Sequence, residues 1–126
     1  MAMSPDNIKL TIEFGDPSLD VEERDREASR LMAELKELEG IEHVGRVLDS
    51  DLPARSKSAG QFLVGLLTAE ISTENAKSVL RFLHHRLQNK QVEMEVEVDG
   101  KRLKVRANSP EGLEHAVEQA QKFISS

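Results

Sequence analysis

Val92-Glu93-Met94-Glu95-Val96-Glu97-Val98-Asp99-Gly100-Lys101-Arg102-Leu103-Lys104-Val105-Arg106-Ala107 reads as a β-hairpin in one uninterrupted run. Val92, Met94, Val96 and Val98 alternate with glutamates, the period of two that sends successive side chains to opposite faces of a strand. Asp99-Gly100 is a two-residue turn of the primed type, and beyond it Leu103, Val105 and Ala107 alternate with Arg102, Lys104 and Arg106. A two-residue turn sets the register. Glu97 then faces Arg102, Glu95 faces Lys104 and Glu93 faces Arg106, while Val96 meets Leu103, Met94 meets Val105 and Val92 meets Ala107. One face is a ladder of opposite charges and the other is core. Each charge pair contributes only about 0.2–1 kcal/mol, so the ladder fixes register more than it adds stability.

Outward from the hairpin, Ser109-Pro110-Glu111 is a helix start, with serine as cap and proline in the first turn. Leu113, Ala116, Val117, Ala120, Phe123 and Ile124 follow on one side. Upstream, Ile8, Leu10, Ile12 and Phe14 alternate with Lys9, Thr11 and Glu13, a strand with one buried face. Gly15-Asp16-Pro17-Ser18 breaks it. From Asp20 the pattern turns helical: Ala28, Leu31, Met32, Leu35 and Leu38 share a face, acidic residues fill the first turns, and Gly40 serves as C-terminal cap. Ile41–Leu48 is a second strand, and strand, helix, strand predicts a parallel pair with a right-handed crossover. Residues 49–60 form a mobile loop, the longest in the chain. Phe62 to Ile71 is almost continuously apolar and is expected to be a buried helix. It lies either between the sheet and the next helix or partly within another chain, and the first arrangement is favoured. Ser72 or Thr73 caps a helix through Gln88 with an apolar stripe of Ala76, Val79, Leu80, Leu83 and Leu87.

The charged outer face of the hairpin and of the first strand leaves one face of the sheet open. The fold expected is a single α+β domain over residues 1–126. It is a two-layer sandwich with a mixed sheet of about four strands, including the C-terminal hairpin, and helices on one face.

Composition narrows the function. The 126 residues include no Cys, Trp or Tyr, which removes disulfides, thiolate metal sites and a cysteine nucleophile. A net charge of -6 and only four Phe argue against nucleic acid as a partner. Residues 1–58 carry 8 basic and 14 acidic side chains and residues 59–126 carry 9 of each, so the acidic excess sits in the first half, mostly over Asp16–Glu42. No stretch approaches the roughly 18 apolar residues of a spanning helix. Met1 to Ile8 lacks an apolar signal core, so a cytoplasmic location is expected.

The histidines do not assemble a site. His84 and His85 are adjacent on a helix and point about 100° apart, which prevents them from sharing one metal well. His43 reads as a strand-edge residue. His115 lies one turn after Glu111 with no third group or nucleophile beside the pair. No glycine-rich phosphate loop follows a strand. No catalytic, metal or cofactor residue is therefore assigned, and the chain is expected not to be an enzyme.

The run Leu10-Thr11-Ile12-Glu13-Phe14-Gly15-Asp16-Pro17 followed by an acidic helix resembles the bacterial effector-associated constant component family. The likeness continues in order over residues 8–124: a short Val-rich strand, a Pro/Ser/Gly loop, an apolar helical middle, a Val/Glu hairpin and a short amphipathic C-terminal helix. Where members have a more apolar middle helix broken by glycines, Glu70–Asn75 makes the break polar. The resemblance implies a non-catalytic accessory component of a bacterial conflict or immune system. It would be an adaptor for an effector, such as a caspase-like or trypsin-like peptidase, or for a nucleotide-hydrolysing switch protein. No catalytic residue is carried over. Candidate partner-binding residues are Glu93, Glu95, Glu97, Arg102, Lys104 and Arg106 on the charged face, and Phe62 and Leu66 in the apolar segment. The acidic first helix is a further candidate surface. The alternative is a small-ligand-sensing regulatory domain in which a homodimer encloses a metabolite near the apolar segment.

Overall fold

In a computed structural model, residues 7–48 and 62–125 are described. The elements run β1 (Asn7–Phe14), α1 (Val21–Lys36), β2 (Ile41–Leu48), β3 (Phe62–Ser72), a 3-10 turn (Thr73–Asn75), α2 (Ala76–Arg86), β4 (Val92–Val98), β5 (Lys101–Ala107) and α3 (Pro110–Ser125). The strands form one sheet in the order β2-β3-β1-β4-β5, and every neighbouring pair is antiparallel. The architecture is α+β, with a helical layer on one face of the sheet. Up to β4, the chain order and strand order are those of a split β-α-β arrangement, to which β5 and α3 are appended.

Among the described residues the sheet has five strands, all antiparallel, where a mixed sheet of about four was expected, and the difference has one origin. The expected helix over Phe62–Ile71 is the strand β3. A short continuous apolar run is consistent with either a buried helix or a fully covered strand, and periodicity alone does not separate them. Here β3 is an inner strand, flanked by β1 and β2. Leu67, Ala69 and Ile71 lie opposite Ile12, Leu10 and Ile8, and all six are buried. The insertion of β3 also separates β1 from β2. Those two strands run in the same direction but do not pair, which corrects the expected parallel pair. The loop expected over residues 49–60 lies outside the described residues.

The core lies between the sheet and the helices. Ile8, Leu10, Ile12 and Phe14 of β1 meet Leu31 and Leu35 of α1, Leu80 and Leu83 of α2, and Leu113 and Ala116 of α3 in one buried cluster. Full burial of side chains of this size stabilises by about 1.5–3 kcal/mol each. α1 lies over β2 and β3, α3 over β5, and α2 packs against α3.

Local chemistry sets the helix ends. Asp20 caps α1 in a capping box with Glu23, each side chain accepting from the other's backbone N–H. α1 stops at Lys36, so Gly40 is not its cap. With φ of 94°, Gly40 instead shapes the turn into β2, where its carbonyl accepts from the Ser72 N–H at 2.9 Å. The helix expected from Ser72 or Thr73 begins as a 3-10 turn, with no side-chain cap bond from Ser72, and its whole apolar stripe is buried as expected. Ser109 caps α3 through its Oγ, which accepts from the Gly112 N–H at 3.0 Å. Ser109→Ala is therefore expected to lower stability by about 0.5–2 kcal/mol, read as a shift in urea midpoint without change in slope.

The acidity of α1 is partly consumed inside the fold. Asp25 pairs with Arg46 of β2, Glu27 with Lys90 and Glu34 with Arg86 of α2. The Arg86 Nε donates to both Glu34 oxygens at 2.8 and 2.9 Å. These three carboxylates tie the helix to the sheet and to α2 rather than only solvating it.

Candidate functional site

The sheet face opposite the helices is built by the polar half of each strand's alternation. The hairpin register is the one the turn demands: Glu97 opposite Arg102, Glu95 opposite Lys104, Glu93 opposite Arg106, with the apolar pairs between them. Asp99 and Gly100 both have positive φ, 51° and 80°, as a type I′ turn requires.

Tertiary pairing extends the ladder across the sheet. Lys9 of β1 lies between Glu97 of β4 and Glu70 of β3, and Glu70 is also paired with His43 of β2. One row therefore reads His43, Glu70, Lys9, Glu97, Arg102, with acidic and basic groups alternating from β3 to β5 and an imidazole at the β2 end. The next row is Gly45, Thr68, Thr11, Glu95, Lys104. In the third, Glu13 stands beside Glu93, a like-charge juxtaposition that is unfavourable by itself. Glu93 is compensated from the other side: Lys104 Nζ is 3.0 Å from its Oε1 and Arg106 donates to its Oε2 at 2.9 Å. Lys104 thus bonds diagonally to Glu93, although its register partner is Glu95.

The ladder is uneven in height. The Glu93 and Glu97 side chains are 21% and 26% exposed, whereas Arg102, Lys104 and Arg106 are 67%, 64% and 71% exposed. The carboxylates are sunk between strands and the cations stand above them. Toward solvent, the hairpin end of this acidic protein presents positive charge.

Hydrogen bonding from Lys104, reinforced by Arg106, holds the Glu93 carboxyl below its ordinary value of 4.5, against the opposing effect of burial. A carboxyl depressed in the folded state stabilises the fold at pH above the unfolded value. That contribution is lost as pH falls through the depressed folded value. With both partners exposed, it amounts to less than about 1 kcal/mol. Glu93→Gln should show a smaller loss of urea midpoint than the native chain between neutral pH and about pH 3. Equal losses would mean that the pairing is not maintained in solution.

At the end of this face, a cleft of about 300 Å³ is lined by Glu13, Glu93, Arg106, Gln91 and Asn108, among others. Among the described residues, no imidazole or side-chain hydroxyl lines it. Among the described residues, no group of three or more His, Asp or Glu is placed to hold a metal ion, and no helix is long and apolar enough to cross a membrane. His84 and His85 stack obliquely, with ring centroids 5.6 Å apart, while His43 and His115 are exposed.

The sequence-derived candidates divide. The six ladder residues are brought together on the open face. Leu66 lies opposite Glu13 and is only 4% exposed, so its side chain is already covered within the chain. Phe62 begins β3, opposite Leu48. Lys9, Glu70 and His43 are additions that sequence reasoning missed. The polar alternation of β1 was a signal for Lys9, but Glu70 joins the face only because its segment is a strand.

No protein-family model, curated protein or solved structure matches this chain.

Proposed function

We propose that the protein is a non-catalytic, cytoplasmic adaptor of a bacterial conflict or immune system, docking other proteins through the open face of its sheet. The observation that carries this reading is the charge ladder over β3, β1, β4 and β5, raised into a basic ridge at the hairpin. Charged, patterned and accessible surfaces of this kind set partner choice and association rate more than raw affinity. The resemblance described above supplies the class of partner: an effector such as a caspase-like or trypsin-like peptidase, or a nucleotide-hydrolysing switch protein.

The test is purification of the tagged protein from its host, followed by exchange of the ladder's signs. Glu93→Arg, Glu95→Lys, Glu97→Arg, Arg102→Glu, Lys104→Glu and Arg106→Glu together keep every hairpin pair and invert the pattern. With folding verified by circular dichroism, the stoichiometric partner should be lost. A partner retained in full would remove this face as the docking site.

The cleft beside Glu13 and Glu93 favours a second reading, a small-ligand-sensing regulatory dimer. Its volume stands at the lower end of ligand pockets. That reading expects dimerisation and a rise in melting temperature with nucleotides or amino acids, and a screen without any shift would count against it.

A further inference from the structure

We propose that β5 is a receptor edge that accepts an acidic extended segment of a partner protein as a sixth strand. This deepens the adaptor reading and rests on it for the source of the segment.

The geometry follows from the turn. In a two-residue hairpin, the flanking pair Val98 and Lys101 exchanges hydrogen bonds, and bonded pairs recur at every second position. Leu103, Val105 and Ala107 therefore bond back to β4, while the backbone N–H and C=O groups of Arg102, Lys104 and Arg106 point out of the edge. Among the described residues β5 pairs with β4 alone, and its register runs from Lys101 to Ala107 without a bulge. The opposite edge is different. β2 has register shifts between Ile41 and His43 and between Arg46 and Leu48, and interrupted edges of this kind resist strand addition. One edge is thus regular and the other broken.

Charge decides the occupant. The residues whose backbone groups face outward are those with the raised basic side chains. Antiparallel pairing of two β5 strands about Lys104 would set Lys104 against Lys104 and Arg102 against Arg106. Like charges directly opposed are destabilising, so the edge repels its own copy. An incoming strand with acidic groups at alternate positions would meet all three cations, and its apolar positions would fall beside Leu103 and Val105, which are half-buried at the rim of the core. This is strand addition, in which backbone bonds give affinity and alternate side chains give specificity.

The test uses the full chain and a synthetic peptide, Val-Glu-Met-Glu-Val-Glu-Val with blocked termini, against its counterpart with lysine at the glutamate positions. Amide exchange is followed by NMR. With the acidic peptide, the Arg102, Lys104 and Arg106 amides should slow by about tenfold or more. The lysine peptide should leave them unchanged, and binding should weaken as salt rises from about 0.05 to about 0.5 M. Lys104→Pro removes one outward N–H without touching a β4–β5 bond and should abolish the protection. Should that variant misfold, Arg102→Gln, Lys104→Gln and Arg106→Gln together should reduce affinity about tenfold with the fold retained. No protection, equal protection by both peptides, or protection that appears without peptide on raising the protein concentration would overturn the proposal. A natural partner that binds without protecting these amides would overturn it while sparing the adaptor reading. Peptide addition in a protein that has no partner in its host would do the reverse.

Discussion

Gly40→Ala should destabilise the fold by about 2–5 kcal/mol, the combined expectation for a strained backbone and an overpacked contact. Gly40 has φ of 94°, a conformation L side chains rarely adopt, and a Cβ placed there would lie 2.3 Å from Asn75 Cβ. The backbone cannot withdraw easily, because the Gly40 carbonyl holds the Ser72 N–H where β3 ends. Asn75→Gly in the same chain removes the collision but not the strain, so the double variant should recover part of the loss. Urea midpoints of the three proteins measure both contributions. A single variant within about 0.5 kcal/mol of the native chain would show that the turn into β2 is not built this way.

The second large effect lies in β3. Leu67→Ala should cost about 2–5 kcal/mol, because Leu67 is fully buried opposite Ile12 and beneath the helical layer. Glu70→Ala, on the other face of the same strand, should cost less than about 1 kcal/mol. The contrast depends on the period of two that places position 67 in the core and position 70 on the open face. Similar effects at both positions would contradict the strand.

Leu67 and Glu70 lie in the segment that the sequence left hardest to read. The hairpin was readable to the residue because its turn is local: Asp99-Gly100 imposes the register, and no distant element is needed to place Glu93 opposite Arg106. The Ser109 cap and the buried stripe of α2 were readable for the same reason. Phe62–Ile71 was not, since Gly65, with φ of 69°, and the buried Leu66 interrupt the alternation, which is clear only from Leu67 onward. That single ambiguity hid the fifth strand, and with it the separation of β1 from β2. The candidate site divides along the same line. Its hairpin residues follow from local pairing, whereas Lys9, Glu70 and His43 enter through registers set between segments far apart in the chain. The exposure difference between sunken glutamates and raised arginines depends on β5 standing at the sheet edge. Strand order is a tertiary property that no local pattern encodes.

The arrangement explains how an acidic chain can carry a basic ridge. Asp25, Glu27 and Glu34 are held against cations of β2, α2 and the segment before β4, and the ladder glutamates are sunk between strands. The cations of β5 are left outermost on a rigid sheet, where their positions are fixed by the hairpin register.

The most direct measurement is hydrogen exchange of the complex isolated from the host, compared with the free protein. Exchange should slow over Lys101–Ala107, most at Arg102, Lys104 and Arg106, with the α1 amides unchanged. Slowing confined to α1 or to β2, with β5 exchanging as in the free protein, would contradict this expectation.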